Sequence, residues 1–151
     1  MGVVPAASQS LSVSSPTHPR ILLADDHPAM LALIATALGG EEFLVVGSVS
    51  NGWELLLVAE RLRPDVIVLD ITMPQLDGIE AARRLGCSDH QARLVFLTVH
   101  EDADFVRAAI EAGGLAYVVK ERLASDLLPA VRSVLAGQLF VSPTIRWEED
   151  L

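Results

Sequence analysis

Three carboxylates, one hydroxyl and one ammonium follow directly on short apolar runs in this chain: Asp25-Asp26, Asp70, Thr98 and Lys120. Three carboxylates within a few ångströms repel one another, and a cation relieves them. Mg²⁺ suits such a cluster, since it takes one or two carboxylates and keeps positions for water and phosphate oxygens. A carboxylate beside that metal can attack a phosphoryl group and form an acyl phosphate. Thr98 and Lys120 then offer a hydrogen bond and a positive charge to its oxygens. Each residue also has a plainer reading. The acidic pair can cap a helix, Asp70 to Gly78 can be a turn, and Thr98 can be a capping hydroxyl. Lys120 weighs against coincidence: it is the sole lysine, while the other ten Lys/Arg positions are arginine.

The elements that must position these groups follow from periodicity. Apolar or β-branched runs at 20–24, 43–49, 65–69, 93–97 and 115–119 predict strands. Helical spacing predicts helices over 29–38, 53–62, 78–85, 102–112 and 125–136, with Gly39-Gly40 and Gly113-Gly114 as C-terminal stops. Pro129 is expected in the first turn of the last helix or at a bend there. Five strands alternating with five helices give an α/β fold, a doubly wound five-stranded parallel sheet covered on both faces. Right-handed crossovers place every strand's C-terminal end on one edge, where ligands bind in open α/β sheets. All five candidate groups fall on that edge.

Length and charge bound the rest. The 151 residues fit one domain, and 51% hydrophobic content is enough for a buried core. The net charge of −9 argues against direct nucleic-acid binding by this chain alone. The longest uncharged apolar stretch, 28–40, is too short to span a membrane. Residues 1–19 are Ser- and Pro-rich and read as a flexible tail, with neither the positive start nor the apolar centre of a signal peptide. A single cysteine, Cys87, suits a reducing compartment, so a cytoplasmic location is expected. His27 and Cys87 are read as structural, being too far apart in sequence for a convincing metal site.

The order Asp25-Asp26, Asp70, Thr98, Lys120 resembles the receiver domain of two-component response regulators. Ile21-Leu-Leu-Ala-Asp-Asp-His-Pro28 and Leu69-Asp-Ile-Thr-Met-Pro-Gln-Leu-Asp-Gly78 look like its LuxR-type, NarL-like branch, and Phe140-Val-Ser-Pro143 looks like that branch's receiver end. The resemblance implies a flavodoxin-like receiver over 20–140, with 141–151 as a C-terminal tail or linker. It implies Asp70 as phosphoacceptor, with Mg²⁺ held by Asp26, Asp70 and the Thr72 carbonyl, and by Asp25 through water. Thr98 and Tyr117 match the family's switch pair. His100 and Thr72 occupy positions linked to phosphoryl lifetime. Glu121 departs from the family, where many receivers have proline after the lysine. The implied partner is a sensor histidine kinase or phosphotransfer protein, with a homodimer as a further expectation. The implied role is a signalling switch that catalyses only its own phosphorylation and dephosphorylation, lacking the branch's usual helix-turn-helix output domain. The alternative is a Mg²⁺-dependent phosphohydrolase with an aspartyl-phosphate intermediate. Such enzymes carry Asp-x-Asp at the nucleophile, whereas Thr72 stands second after Asp70 here. Replacing Lys120 by Ala is expected to leave the fold and metal binding largely intact, because the carboxylates remain.

Overall fold

The computed structural model describes residues 18–147. Most of the expected 1–19 tail, and residues 148–151, lie outside them. In chain order the elements are β1 (Arg20–Ala24), α1 (Pro28–Ala37), β2 (Leu44–Val49), α2 (Gly52–Leu62), β3 (Val66–Leu69) and α3 (Gly78–Gly86). Then come β4 (Arg93–Thr98), α4 (Ala103–Glu111), β5 (Gly114–Val119), a 3₁₀ turn (Lys120–Arg122), α5 (Leu123–Leu135) and β6 (Phe140–Val141). All strand pairings are parallel, in the spatial order β2-β1-β3-β4-β5-β6.

Strand alternation divides the core in two. Leu22, Ala24, Ile67, Leu69, Phe96, Tyr117 and Val119 face α2, α3 and α4, where Leu55, Ala82, Leu85 and Val106 meet them. Their neighbours Ile21, Leu23, Val66, Val68, Val95, Leu97 and Val118 face α1 and α5, against Ile34, Leu38, Leu127 and Val131. Successive side chains on a strand point to opposite faces, so a strand covered on both sides must be apolar throughout. The four residues of β3 show this, all fully buried.

The expected five-stranded sheet is corrected to six strands. β6 is two residues long, too short to show alternation or an apolar run, and it forms where the chain returns along β5. Side chains just outside the ladder fix it. The Ser142 hydroxyl donates to Asp126 Oδ2 at 2.8 Å and accepts the Val119 N–H at 3.2 Å. Arg122 and Ser125 also donate to Asp126, at 2.7 and 2.9 Å. Burial raises the Asp126 pKa, but the hydrogen bonds from Arg122, Ser142 and Ser125 outweigh it and hold the carboxyl below its ordinary 3.8. A depressed carboxyl contributes stability above its unfolded value and loses it as pH falls through the folded value. Protection of the Ser142 amide from hydrogen exchange should therefore be pH-independent, after correction for intrinsic rates, above about pH 5 and fall only below 3.8.

Pro129 also differs from expectation. The 3₁₀ turn at Lys120–Arg122 leads straight into α5, which begins at Leu123 rather than 125. Pro129 thus lies inside the helix, where it cannot donate to the Ser125 carbonyl.

Candidate functional site

The strand order reverses between β1 and β3, and open α/β sheets bind ligands in the crevice at that point. The last ladder bonds reach into it: the Asp25 N–H donates to the Val49 carbonyl at 3.1 Å, and the Asp70 N–H to the Ala24 carbonyl at 3.0 Å. Both carboxylates therefore begin one residue beyond a rigid strand. They are 1% and 4% exposed.

The capping reading of the acidic pair fails, which leaves these carboxylates to the site. The N-cap of α1 is His27, without a side-chain cap bond, and Pro28 opens the helix. Asp25 Oδ1 accepts the His27 N–H at 2.9 Å. The imidazole then folds back, its Nδ1 lying 3.1 Å from Asp25 Oδ1 and 3.0 Å from Asp26 Oδ1. Asp25, Asp26 and His27 bring one donor atom each within 4.8 Å of one another. Sequence reasoning read His27 as structural and did not place its ring against the acidic pair. The missed signal was its adjacency to the acidic pair, which makes a distant cysteine irrelevant.

The loop after β3 is built around Asp70. Asp70 Oδ1 accepts the Ile71 N–H at 2.7 Å. The Gly78 N–H returns to the Ile71 carbonyl at 2.7 Å, and Gln75 turns the chain with φ of 72°. Gly78 is required there, because a Cβ on it would stand 1.9 Å from the Asp70 carbonyl oxygen. Asp77 ends the loop by accepting the Glu80 N–H at 2.8 Å and capping α3.

Lys120 reaches in from the end of β5. Its Nζ lies 2.8 Å from Asp70 Oδ2 and 2.8 Å from Asp25 Oδ2, with the lysine side chain 10% exposed. The contact to Asp70 is a directed hydrogen bond. The contact to Asp25 is an ion pair that leaves Oδ2 without one. Burial opposes the ammonium's charge, but the two carboxylates prevail and hold its pKa above the ordinary 10.5.

Thr98 ends β4, fully buried, and its hydroxyl has no hydrogen-bond partner. Tyr117 is equally buried, and its hydroxyl donates to the His100 carbonyl at 2.9 Å. Burial raises the phenol's pKa, reinforced by the negative charges of Asp70, Asp102 and Glu101. Thr72 is exposed, its hydroxyl sharing a 2.8 Å hydrogen bond with His100 Nε2. The structure thus brings Asp25, Asp26, Asp70 and Lys120 together around one edge. Thr98 lies at the same edge, with Thr72 and Tyr117 linked at its rim through His100.

Among the described residues, three buried side-chain oxygens make no directed hydrogen bond: Asp25 Oδ2, with Lys120 Nζ 2.8 Å away, Asp26 Oδ1, with His27 Nδ1 3.0 Å away, and Thr98 Oγ1. Buried oxygens short of hydrogen bonds are costly, so their gathering at one edge suits a ligand that completes them. Carboxylate oxygens suit a hard divalent cation such as Mg²⁺. The donor set fits that ion.

Residues 21–132 match the model of the response regulator receiver domain. The chain belongs to that family. This receiver is 36% identical over 127 residues to the response regulator GacA of Pseudomonas viridiflava, covering 83% of this chain and 59% of GacA. It is 38% identical over 112 residues to the transcriptional regulatory protein PdtaR of Mycobacterium tuberculosis, covering 74% and 54%. The chain therefore spans a little over half the length of these curated relatives. Among solved structures, a LuxR-family response regulator from Aurantimonas sp. SI85-9A1 superposes with a TM-score of 0.81 at 32% identity, over 85% of this chain and 92% of that one. The signal receiver domain of NarL from Mycobacterium tuberculosis superposes at 0.77 with 26% identity, over 82% and 100%. The flavodoxin-like receiver fold and the LuxR/NarL-type likeness both stand. The chain is a two-component receiver, the domain type of a phosphorylation-operated switch, and nothing in these comparisons supports the phosphohydrolase alternative.

Proposed function

We propose that this receiver takes a phosphoryl group on Asp70 from a sensor histidine kinase or phosphotransfer protein, in the cytoplasm, and that Mg²⁺ is required. The observation that carries this reading is the gathering of Asp25, Asp26 and the unbonded Thr98 hydroxyl at the sheet edge where Lys120 bridges Asp25 and Asp70. Asp26, Asp70 and the Thr72 carbonyl would hold the metal, with Asp25 acting through water. When bound, Mg²⁺ neutralises charge between the carboxylates and the incoming phosphoryl oxygens.

The protein's own groups do the rest. The Ile71 N–H and the Lys120 ammonium fix the two oxygens of Asp70 before any donor arrives. An Asp70 oxygen attacks phosphorus, the bond from phosphorus to the donor breaks, and its electron pair leaves with the donor. Lys120 then pairs with the new phosphoryl charge, and the Thr98 hydroxyl gains the acceptor it lacks. The Tyr117 hydroxyl, anchored on His100, carries the change to the loop that also meets Thr72. Among the described residues no helix is long and apolar enough to cross a membrane.

Incubation with acetyl phosphate tests the metal requirement. With Mg²⁺ the protein should gain one phosphoryl group, and excess chelator should abolish the gain. Equal labelling in chelator would contradict the reading.

A further inference from the structure

The family match ends at residue 132, yet the chain continues into a buried polar network around Asp126 and Ser142. Asp126 and Ser142, buried to 4% and 1% exposure, take no part in the chemistry described above. Through Ser142 their hydrogen bonds reach β5, the strand that carries Tyr117. The Ser142 N–H donates to the Tyr117 carbonyl at 2.9 Å, and the Ser142 hydroxyl accepts the Val119 N–H. The next residue is Lys120, bridged to Asp25 and Asp70. Arg122, two residues further along the same 3₁₀ turn, grips Asp126 through Nε and a terminal nitrogen at 2.7 and 3.2 Å. Beyond Ser142 the chain turns, with the Ile145 N–H on the Ser142 carbonyl at 3.0 Å. Ile145 then joins the core cluster that holds Tyr117 and α4, and Trp147 packs against that cluster.

We propose that residues 140–147 form a strap whose attachment through Ser142 reports the state of Asp70, so that phosphorylation loosens it. This inference rests on the phosphoacceptor reading above. The direction follows from the bonding. With Lys120 shared between two carboxylates, Ser142, Asp126 and the Val119 N–H all have partners. A phosphoryl group draws Lys120 away from that shared position and moves the turn between Val119 and Arg122. Any displacement of a fully bonded lock can only weaken it. The element is two-state, since the Ser142 hydroxyl either bridges Val119 and Asp126 or does not. The segment that leaves the receiver is thereby coupled to its phosphorylation site through four residues of one strand end. Linkage makes the coupling reciprocal: a weakened strap must favour the phosphorylated form by the same factor.

The test uses the full chain with Mg²⁺ and beryllofluoride, a phosphoryl mimic. Fluorine NMR reads the bound mimic, and amide hydrogen exchange reads the strap. In wild type, the mimic should speed exchange at Val119, Ser142 and Ile145 by about fivefold or more. Ser142→Ala should exchange fast at Val119 and Ile145 without the mimic and should bind it about fivefold more tightly. Arg132→Ala breaks an exposed pair with Glu42 that touches neither β5 nor β6, and it should behave as wild type. A bound-mimic signal with unchanged wild-type protection would overturn the strap alone, as would wild-type affinity in Ser142→Ala. Absence of any bound-mimic signal would overturn the phosphoacceptor reading and the strap with it.

Discussion

Lys120→Ala should lose about 3 kcal/mol of folding stability in chelator, seen as a fall in melting temperature of roughly 10 °C. The lysine is the cation shared by Asp25 and Asp70, whose carboxylates are nearly inaccessible to water. Removing one partner of a buried pair leaves uncompensated charge, which costs far more than the pair itself contributes. The side chain is 10% exposed, so water softens the loss and sets it at the lower end for buried pairs. Mg²⁺ should recover part of the loss by binding the folded form and neutralising the same oxygens. The metal's stabilising effect should therefore be larger in the variant than in wild type. The pH profile has a defined sign. A raised lysine pKa contributes stability that is complete below 10.5 and lost only as pH rises through the higher folded value. Denaturant unfolding of both proteins, with chelator and with Mg²⁺, checks all of this. Equal stability in chelator would show that Lys120 carries no structural charge.

That expectation revises the one drawn from sequence, which treated Lys120 as a reader whose loss leaves the fold largely intact. Spacing placed Lys120 at a strand exit. It could not show that the ammonium sits between two carboxylates rather than beside one, because that depends on how far β1, β3 and β5 lie apart in the sheet. His27 is a similar case. Its neighbours in sequence are its partners in space, but only because Pro28 starts α1 at once and turns the imidazole back over the acidic pair.

The positions of the catalytic candidates were legible for a different reason. Strands buried on both faces must be apolar throughout, so the first polar residue after each run marks the sheet's edge. Asp25, Asp70 and Lys120 meet that criterion directly, and Thr98 meets it as the final residue of β4. β6 was not legible. Two residues, Phe140 and Val141, carry no period, and their place is set by Ser142 bonding to Asp126 across 16 positions of chain. Pro129 misled because a proline argues for a helix start only when the first turn is known. Here the turn Lys120–Arg122 advances α5 past it.

The central claim is that Asp70 alone accepts the phosphoryl group. Its carboxylate follows directly on β3 and is held at Oδ1 by the Ile71 N–H and at Oδ2 by Lys120, so it is fixed in place before the donor arrives. Asp25 faces the same lysine but is tied through Oδ1 to His27, and Asp26 lies nearer the surface. Asp70→Asn keeps the shape of the side chain and removes the charge that makes it a nucleophile. Intact-mass measurement after acetyl phosphate and Mg²⁺, on wild type and Asp70→Asn, tests the claim most directly. The account predicts one phosphoryl group on wild type and none on the variant. Equal labelling of the two proteins would contradict it.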